Sequence, residues 1–274
     1  MKKFLSFLII FTIFILPVCS ENKKITEDYL KNNKHLLSMH CMGDFAAKTA
    51  IKHSLKKQAP GKYKVKFKGY TLYGLKQGVF KSLEIKGKNI TLEGIEIPYF
   101  TLQTLTDYNW IDYRQSPVII KTDMEFKYEL HLSEKSINDG LRTEEYLKIL
   151  RKINKRAYPM FSLNDVQVEI KNNKLYVIMS YNFPISPRKN DRTFVVSSGL
   201  RIVNNEIFPC NIAFDKAYGN LPLKKVANLI NILNPLSFTM KLIDDKKGDI
   251  KIEEIKILDD IVVINGKIYV KGDK

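Results

Sequence analysis

Residues 62–68 read Lys-Tyr-Lys-Val-Lys-Phe-Lys, and no other stretch restricts the fold as much. Successive side chains of a β-strand point to opposite faces. Lys62, Lys64, Lys66 and Lys68 therefore share one side, and Tyr63, Val65 and Phe67 the other. A helix would spread the same lysines around its circumference and drive some into the core. This stretch is a strand with one dry face and one wet face, the habit of antiparallel sheets. A second run, Val118–Leu130, carries the same message over a greater length: Ile120, Thr122, Met124, Phe126, Tyr128 and Leu130 fall on one face.

The remaining pattern supplies more strands and a few helices. Apolar spacing from Thr26 to about Gln58 is helical, with Gly43 a point of division and Pro60-Gly61 the stop. Strands are expected at Val79–Lys86, Asn89–Ile97, Asp165–Ile170, Lys174–Asn182 and Thr193–Val203. A hairpin turn at Asn204-Asn205 leads into Glu206–Phe214. Ser133 caps a short helix, Glu134–Leu141. Thr143 caps another, Glu144–Lys155, with Tyr146, Leu147, Leu150 and Ile153 inward. A helix opened by Pro222 ends near Leu233, before Pro235. Ser237–Ile243, Asp249–Leu258 and Ile261–Val270 read as closing strands, with turns at Lys247-Gly248 and Asp259-Asp260 and an interruption at Asn265-Gly266. Strands interrupted by a few helices, with no Pro/Gly/Ser-rich linker, predict one continuous α+β domain of largely antiparallel sheets over residues 21–274.

Residues 1–20 read as a secretory signal. Two lysines precede an apolar run of 13 residues, Phe4–Leu16, and Val18 and Ser20 occupy the −3 and −1 places of a cleavage site. The run is shorter than the about 20 residues that span a bilayer. Cys19 offers a second route, lipid attachment after cleavage at Val18. Either way the expected destination is the periplasm or the outside of the cell. Cys41 and Cys210 then meet an oxidising compartment, paired or as two buried thiols. Asn89-Ile90-Thr91 matches a glycosylation sequon but lies within a strand-like run and is read as accidental.

Charge says more about function than any motif does. The chain carries a net +16, and only seven of its 45 basic residues are arginine. Twelve lysines and a single acid, Glu84, lie between Lys48 and Lys88. Lysine is a compact point charge, less suited than arginine to bidentate readout, so nucleic acid is not the expected partner. The row Lys62–Lys68 suits an anionic lipid surface or an acidic glycan, though lysine also serves to blunt a sheet edge. Tyr99–Tyr113 gathers five aromatics; Tyr99, Phe100, Trp110 and Tyr113 are candidate interfacial residues.

Reactive constellations are scarce. The chain has no nucleophile elbow, no His-Glu-x-x-His and no phosphate-cradling glycine loop. His35 and His40, five apart, do not stack on one helix face. Asp107 and Asp112 form the one candidate carboxylate pair for an enzyme acting on lipid or glycan, although loops use aspartate routinely for turns. Asp244, Asp245, Asp249, Glu253 and Glu254 lack the spacing of a calcium loop. No cofactor or metal is expected, and no protein partner is indicated.

Gly74-Leu75-Lys76-Gln77-Gly78-Val79-Phe80-Lys81-Ser82-Leu83-Glu84-Ile85-Lys86-Gly87 resembles the opening of the LmeA-like family of exported bacterial phospholipid-binding proteins. Asn89–Pro98 looks like that family's second strand. Val118–Leu130, followed by Leu132-Ser133-Glu134-Lys135-Ser136-Ile137-Asn138, is similar to its strand leading into a short helix. The likeness covers roughly residues 62–270 and contains no catalytic motif. It implies curved antiparallel sheets covered by a few helices, similar to tubular lipid-binding domains, with an apolar groove for acyl chains. The expected function is accordingly non-enzymatic: acyl chains against Ile120, Met124, Phe126 and Tyr128, and the lysine row near anionic headgroups. A module that binds an envelope polyanion through its basic stripe is the alternative.

Overall fold

The computed structural model describes residues 37–114, 118–158, 161–184, 192–216, 223–243 and 248–273. The signal-like segment with Cys19 and Ser20, the helix start at Thr26, His35, the turn residue Lys247 and the acids Asp244 and Asp245 lie outside them, as does the side chain of Cys41. The described chain is mostly antiparallel sheet with a few helices, an α+β protein.

Two sheets carry the fold. The larger contains β1 (Lys62–Gly69), β2 (Val79–Leu92), β3 (Ile95–Thr104), β4 (Asn109–Asp112), β5 (Ile119–Ile120), β6 (Met124–Ser133), β11 (Asp249–Leu258) and β12 (Ile261–Val270). Its order is β11-β12-β6-β3-β2-β4-β5, with β1 hydrogen-bonded to β2 outside that path. The smaller runs β10-β9-β8-β7, where β7 is Ser162–Lys171, β8 Lys174–Asn182, β9 Arg192–Val203 and β10 Glu206–Lys216. Six helices among the described residues accompany them: α1 (Leu37–Gln58), α2 (Leu72–Lys76), α3 (Glu134–Leu141), α4 (Glu144–Ala157), α5 (Leu223–Leu233) and α6 (Pro235–Ile243). Helix α1 covers β1, α3 touches β3, β6 and β7, and α4 packs on β7. One buried apolar cluster runs from Ala47 on α1 to Val270 on β12 and takes in both sheets.

Local chemistry explains why these segments form where they do. Ser133 accepts a hydrogen bond from the Ser136 amide while the Ser136 hydroxyl accepts one from the Ser133 amide, a reciprocal cap that starts α3. Helix α1 passes through Gly43 unbroken. A Cβ there would stand 3.0 Å from Leu72 Cδ1, so the glycine serves the close approach of α2.

Several expectations are corrected. The anticipated break after Lys86 is absent: β2 continues to Leu92, and the turn falls at Glu93-Gly94, both at positive φ. What changes near Gly87 is phase. Leu83, Ile85 and Gly87 are buried, then Ile90 and Leu92; on the partner strand Ile95 and Ile97 are buried, then Phe100 and Leu102. Asn89, at φ 49°, and Pro98 mark the switch on both strands. The Val118–Leu130 run is two strands, with Ile120 on β5 and Met124 opening β6. Residues 237–243 are helical, because Asn234 accepts from the Ser237 amide and Pro235 takes the first helical position. β12 is not interrupted at Asn265-Gly266. Gly266 is buried there, opposite Tyr128, and a Cβ would meet the Lys251 carbonyl at 2.0 Å and the Tyr128 ring at 2.8 Å. Finally, Leu147 faces solvent, and the Thr143 hydroxyl donates to the Gly140 carbonyl and caps nothing.

Candidate anion-binding face

The period-2 pattern of β1 resolves into two environments. Tyr63 and Phe67 are buried beneath α1, with Val65 half-buried, while Lys62, Lys64, Lys66 and Lys68 are exposed on the opposite face. Antiparallel register then sets β2 beside them: Lys62 faces Lys88, Lys64 faces Lys86, Lys66 faces Glu84 and Lys68 faces Ser82. Directly opposed residues stand about 5 Å apart, and alternate residues along a strand about 7 Å. Six ammonium groups thus share a two-strand patch with one carboxylate.

That carboxylate holds two of them. Lys66 Nζ lies 2.8 Å from Glu84 Oε2, and Lys86 Nζ 3.2 Å from Oε1. Hydrogen bonding from Lys66 holds the Glu84 carboxyl below its ordinary pKa, and the same contact with Glu84 raises that of Lys86. Lys62, Lys64, Lys68 and Lys88 have no carboxylate partner among the described residues. Lys86 and Lys88 extend the basic patch beyond the row evident in β1. The signal for them was the alternation of β2 itself, readable only once its register against β1 is known. The long lysine stripe is nevertheless divided, since the lysines of α1 ride on a helix packed over the other face of β1.

The candidate aromatics separate into three roles. Phe100 is a core residue. Tyr99 faces the basic side, opposite Lys88, and its ring packs at 4.8 Å on His131, whose Nε2 is 2.7 Å from Glu129 Oε1. Trp110 Nε1 donates to the Gln77 carbonyl at 3.1 Å, and the Tyr113 hydroxyl donates to the Lys76 carbonyl at 2.5 Å. These two satisfy carbonyls that the end of α2 leaves without helical partners. Gly78 follows at φ 83°, where a Cβ would collide with the Ile111 carbonyl at 1.8 Å, so the Gly74–Gly78 motif is a helical turn with a left-handed exit.

The apolar residues expected to line a groove are inside the protein. Ile120, Met124, Phe126 and Tyr128 are all buried in the common core. A cleft of about 260 Å³ lies elsewhere, between the β9–β10 turn, α6 and β11, lined by Asn204, Asn205, Ile207, Met240 and Ile252 among others. It falls below the roughly 300–1,000 Å³ usual for ligand pockets.

The two candidate carboxylates sit in different environments. Asp107 is exposed in the turn before β4, and its carbonyl accepts from the Tyr70 hydroxyl. Asp112 is buried, and its Oδ1 accepts from the Arg114 amide at 3.3 Å and from Arg114 Nε at 3.2 Å. No group of three His, Cys, Asp or Glu suited to a metal occurs among the described residues. Cys210 is a free, half-buried thiol facing Gly199. No helix among the described residues is long and apolar enough to cross a membrane. Comparison with family models, curated proteins and solved structures found no match for this chain.

Proposed function

We propose that this protein is a non-enzymatic, exported envelope protein that docks on anionic phospholipid membrane through the β1–β2 face of its large sheet. The observation that carries the reading is six lysines against one carboxylate on a single two-strand surface. Edge protection accounts for lysines on β1. It does not account for Lys86 and Lys88, because β2 is an interior strand held by β1 on one side and β3 on the other. Each lysine near an anionic surface contributes on the order of 1 kcal/mol, so the patch is sufficient for reversible docking. The LmeA-like resemblance favours phospholipid over other anions and suggests sheets of the tubular kind. Burial of Phe126 and its neighbours means that the proposal takes over the headgroup contact and leaves out the acyl groove.

Flotation with neutral vesicles and with vesicles containing phosphatidylglycerol tests it. Binding is expected only to the anionic vesicles, and it weakens as salt screens the contact. Replacing Lys62, Lys64, Lys66 and Lys68 by Gln is expected to weaken it at least tenfold while circular dichroism stays unchanged. Wild-type-like binding by that variant would refute the reading. Binding to soluble polyglutamate with none to vesicles would favour the polyanion alternative.

A further inference from the structure

Helix α4 carries a second basic surface, remote in sequence from the lysine row. Its inner side is conventional: Tyr146 and Leu150 are buried, and Ile149 and Ile153 pack against the core. The opposite side presents Lys148, Arg151, Lys152 and Lys155, and Arg156 stands on the flank beside Ile149 with Glu145 between it and Lys152; all five basic residues are exposed. Arg151 pairs with Glu144; the other four have no carboxylate partner among the described residues.

The flank of this basic arc is apolar. Leu147 is 40% exposed and Tyr158, the residue that ends the helix, 69%. At 100° per residue, Leu147, Arg151 and Tyr158 fall within a stripe about 40° wide, bordering Lys155 and Lys148. A soluble polyanion would be held by the charges and gain nothing from those two side chains. An interfacial helix uses both, with cations at headgroup level and leucine or an aromatic ring at the acyl boundary.

We propose that the outer face of α4 is a second membrane-contact surface, specific for bilayers rich in anionic phospholipid and independent of the β1–β2 face. The two surfaces belong to different parts of the fold. The lysine row lies on the large sheet, and α4 packs on β7, an outer strand of the smaller one.

Four full-length proteins separate the two ideas: wild type, the four-lysine Gln variant of β1, a Lys148→Glu/Lys152→Glu/Lys155→Glu variant, and the combination. Flotation with phosphatidylglycerol vesicles is the readout. The α4 substitutions are expected to weaken binding roughly tenfold or more in the background that lacks the β1 row, and the combination to fall to the level of neutral vesicles. Leu147→Ser/Tyr158→Ser, which alters no charge, is expected to weaken vesicle binding severalfold without affecting retention of a short single-stranded DNA. If the α4 variants bind as their parents do, the inference falls, whatever the β1 row does. If they lose the DNA and keep the vesicles, the surface serves a soluble polyanion and the inference falls as well. A β1-row variant indistinguishable from wild type would sink only the sheet-face reading.

Discussion

The two ends of the large sheet's outer face are built alike and charged differently. One cross-strand row runs Lys64–Lys86–Thr101–Glu129–Asn265–Glu254, from β1 to β11. At the β11 end acids are interspersed with the lysines: Lys256 lies 2.6 Å from Glu254 and Lys267 lies 2.9 Å from Glu125, while Lys251 and Lys127, in register on either side of Lys267, have no ion pair among the described residues. At the β1 end one glutamate serves six lysines. Solubility is served by interspersed charges of both signs, which the β11 end already shows. An uncompensated cluster repels itself, a cost that the proposed anionic partner would offset. The floor beneath is shared. The neighbouring row, Tyr63–Gly87–Phe100–Leu130–Ile264–Ile255, is apolar from end to end apart from its glycine.

That shared floor gives the most severe test of the contrast. Phe126 is 1% exposed and sits between Thr104 and Ile268. Phe126→Ala is expected to lower unfolding free energy by about 3–5 kcal/mol in urea. Vesicle affinity per folded molecule should not change. If binding fell by more than the folded fraction, the inner face would be taking part in recognition and the separation of roles would be wrong.

The edges of the sheet differ as its ends do. β1 is guarded by lysines, whereas β11 is clipped by an amide: Asn205, at φ 64° in the β9–β10 turn, donates to the Ile250 carbonyl and accepts from the Ile252 amide at 2.6 Å. Asn138 and Asn154 bind the Val168 and Leu163 backbones of β7 in the same two-bond manner, each bond 2.8 Å. Asn205→Gly keeps the left-handed backbone and removes the clip. It is expected to cost about 1–3 kcal/mol and to raise concentration-dependent aggregation in light scattering. Vesicle binding should stay as it was, because the clip stands at the far end of the sheet from the basic patch.

Much of this was legible in the chain. The alternation of Lys62–Lys68 gave strand, face and edge at once, and Ser133 announced α3. Where reading failed, a single residue overrode a period. Near Gly87 the alternation shifts by one residue, which in sequence resembles the end of a strand; in space Asn89 and Pro98 turn the strands over without unpairing them. Phe238, Met240 and Leu242 alternate as in a strand, yet Asn234-Pro235 is an effective helix start, and capping outweighed the pattern. Apolarity alone points Leu147 inward, although the buried arc is centred on Tyr146 and Leu150. Of the candidate site, the β1 row was visible. Lys86 and Lys88 awaited the register, and the helix α4 surface awaited knowledge of which apolar residues it leaves outside.

The smallest expected effect discriminates best between the two ends. Glu84 is the only carboxylate on the basic patch, and its ion pairs with Lys66 and Lys86 depress its pKa. Their contribution to stability is therefore present above the ordinary carboxylate range and is lost as pH falls through the depressed value. Exposed pairs of this kind contribute at most about 1 kcal/mol, so Glu84→Gln is expected to leave the unfolding midpoint nearly unchanged at neutral pH. It also frees two ammonium groups and adds one net positive charge. Affinity for phosphatidylglycerol vesicles should rise by about fivefold, the equivalent of one charge near an anionic surface. Glu254→Gln adds the same charge where Lys256 is paired, at the far end of the same face. It should leave vesicle binding within about twofold of wild type, a difference smaller than one interfacial charge. Equal gains from both substitutions would mean that net charge alone draws the protein to the membrane, and that the arrangement on β1 and β2 is incidental.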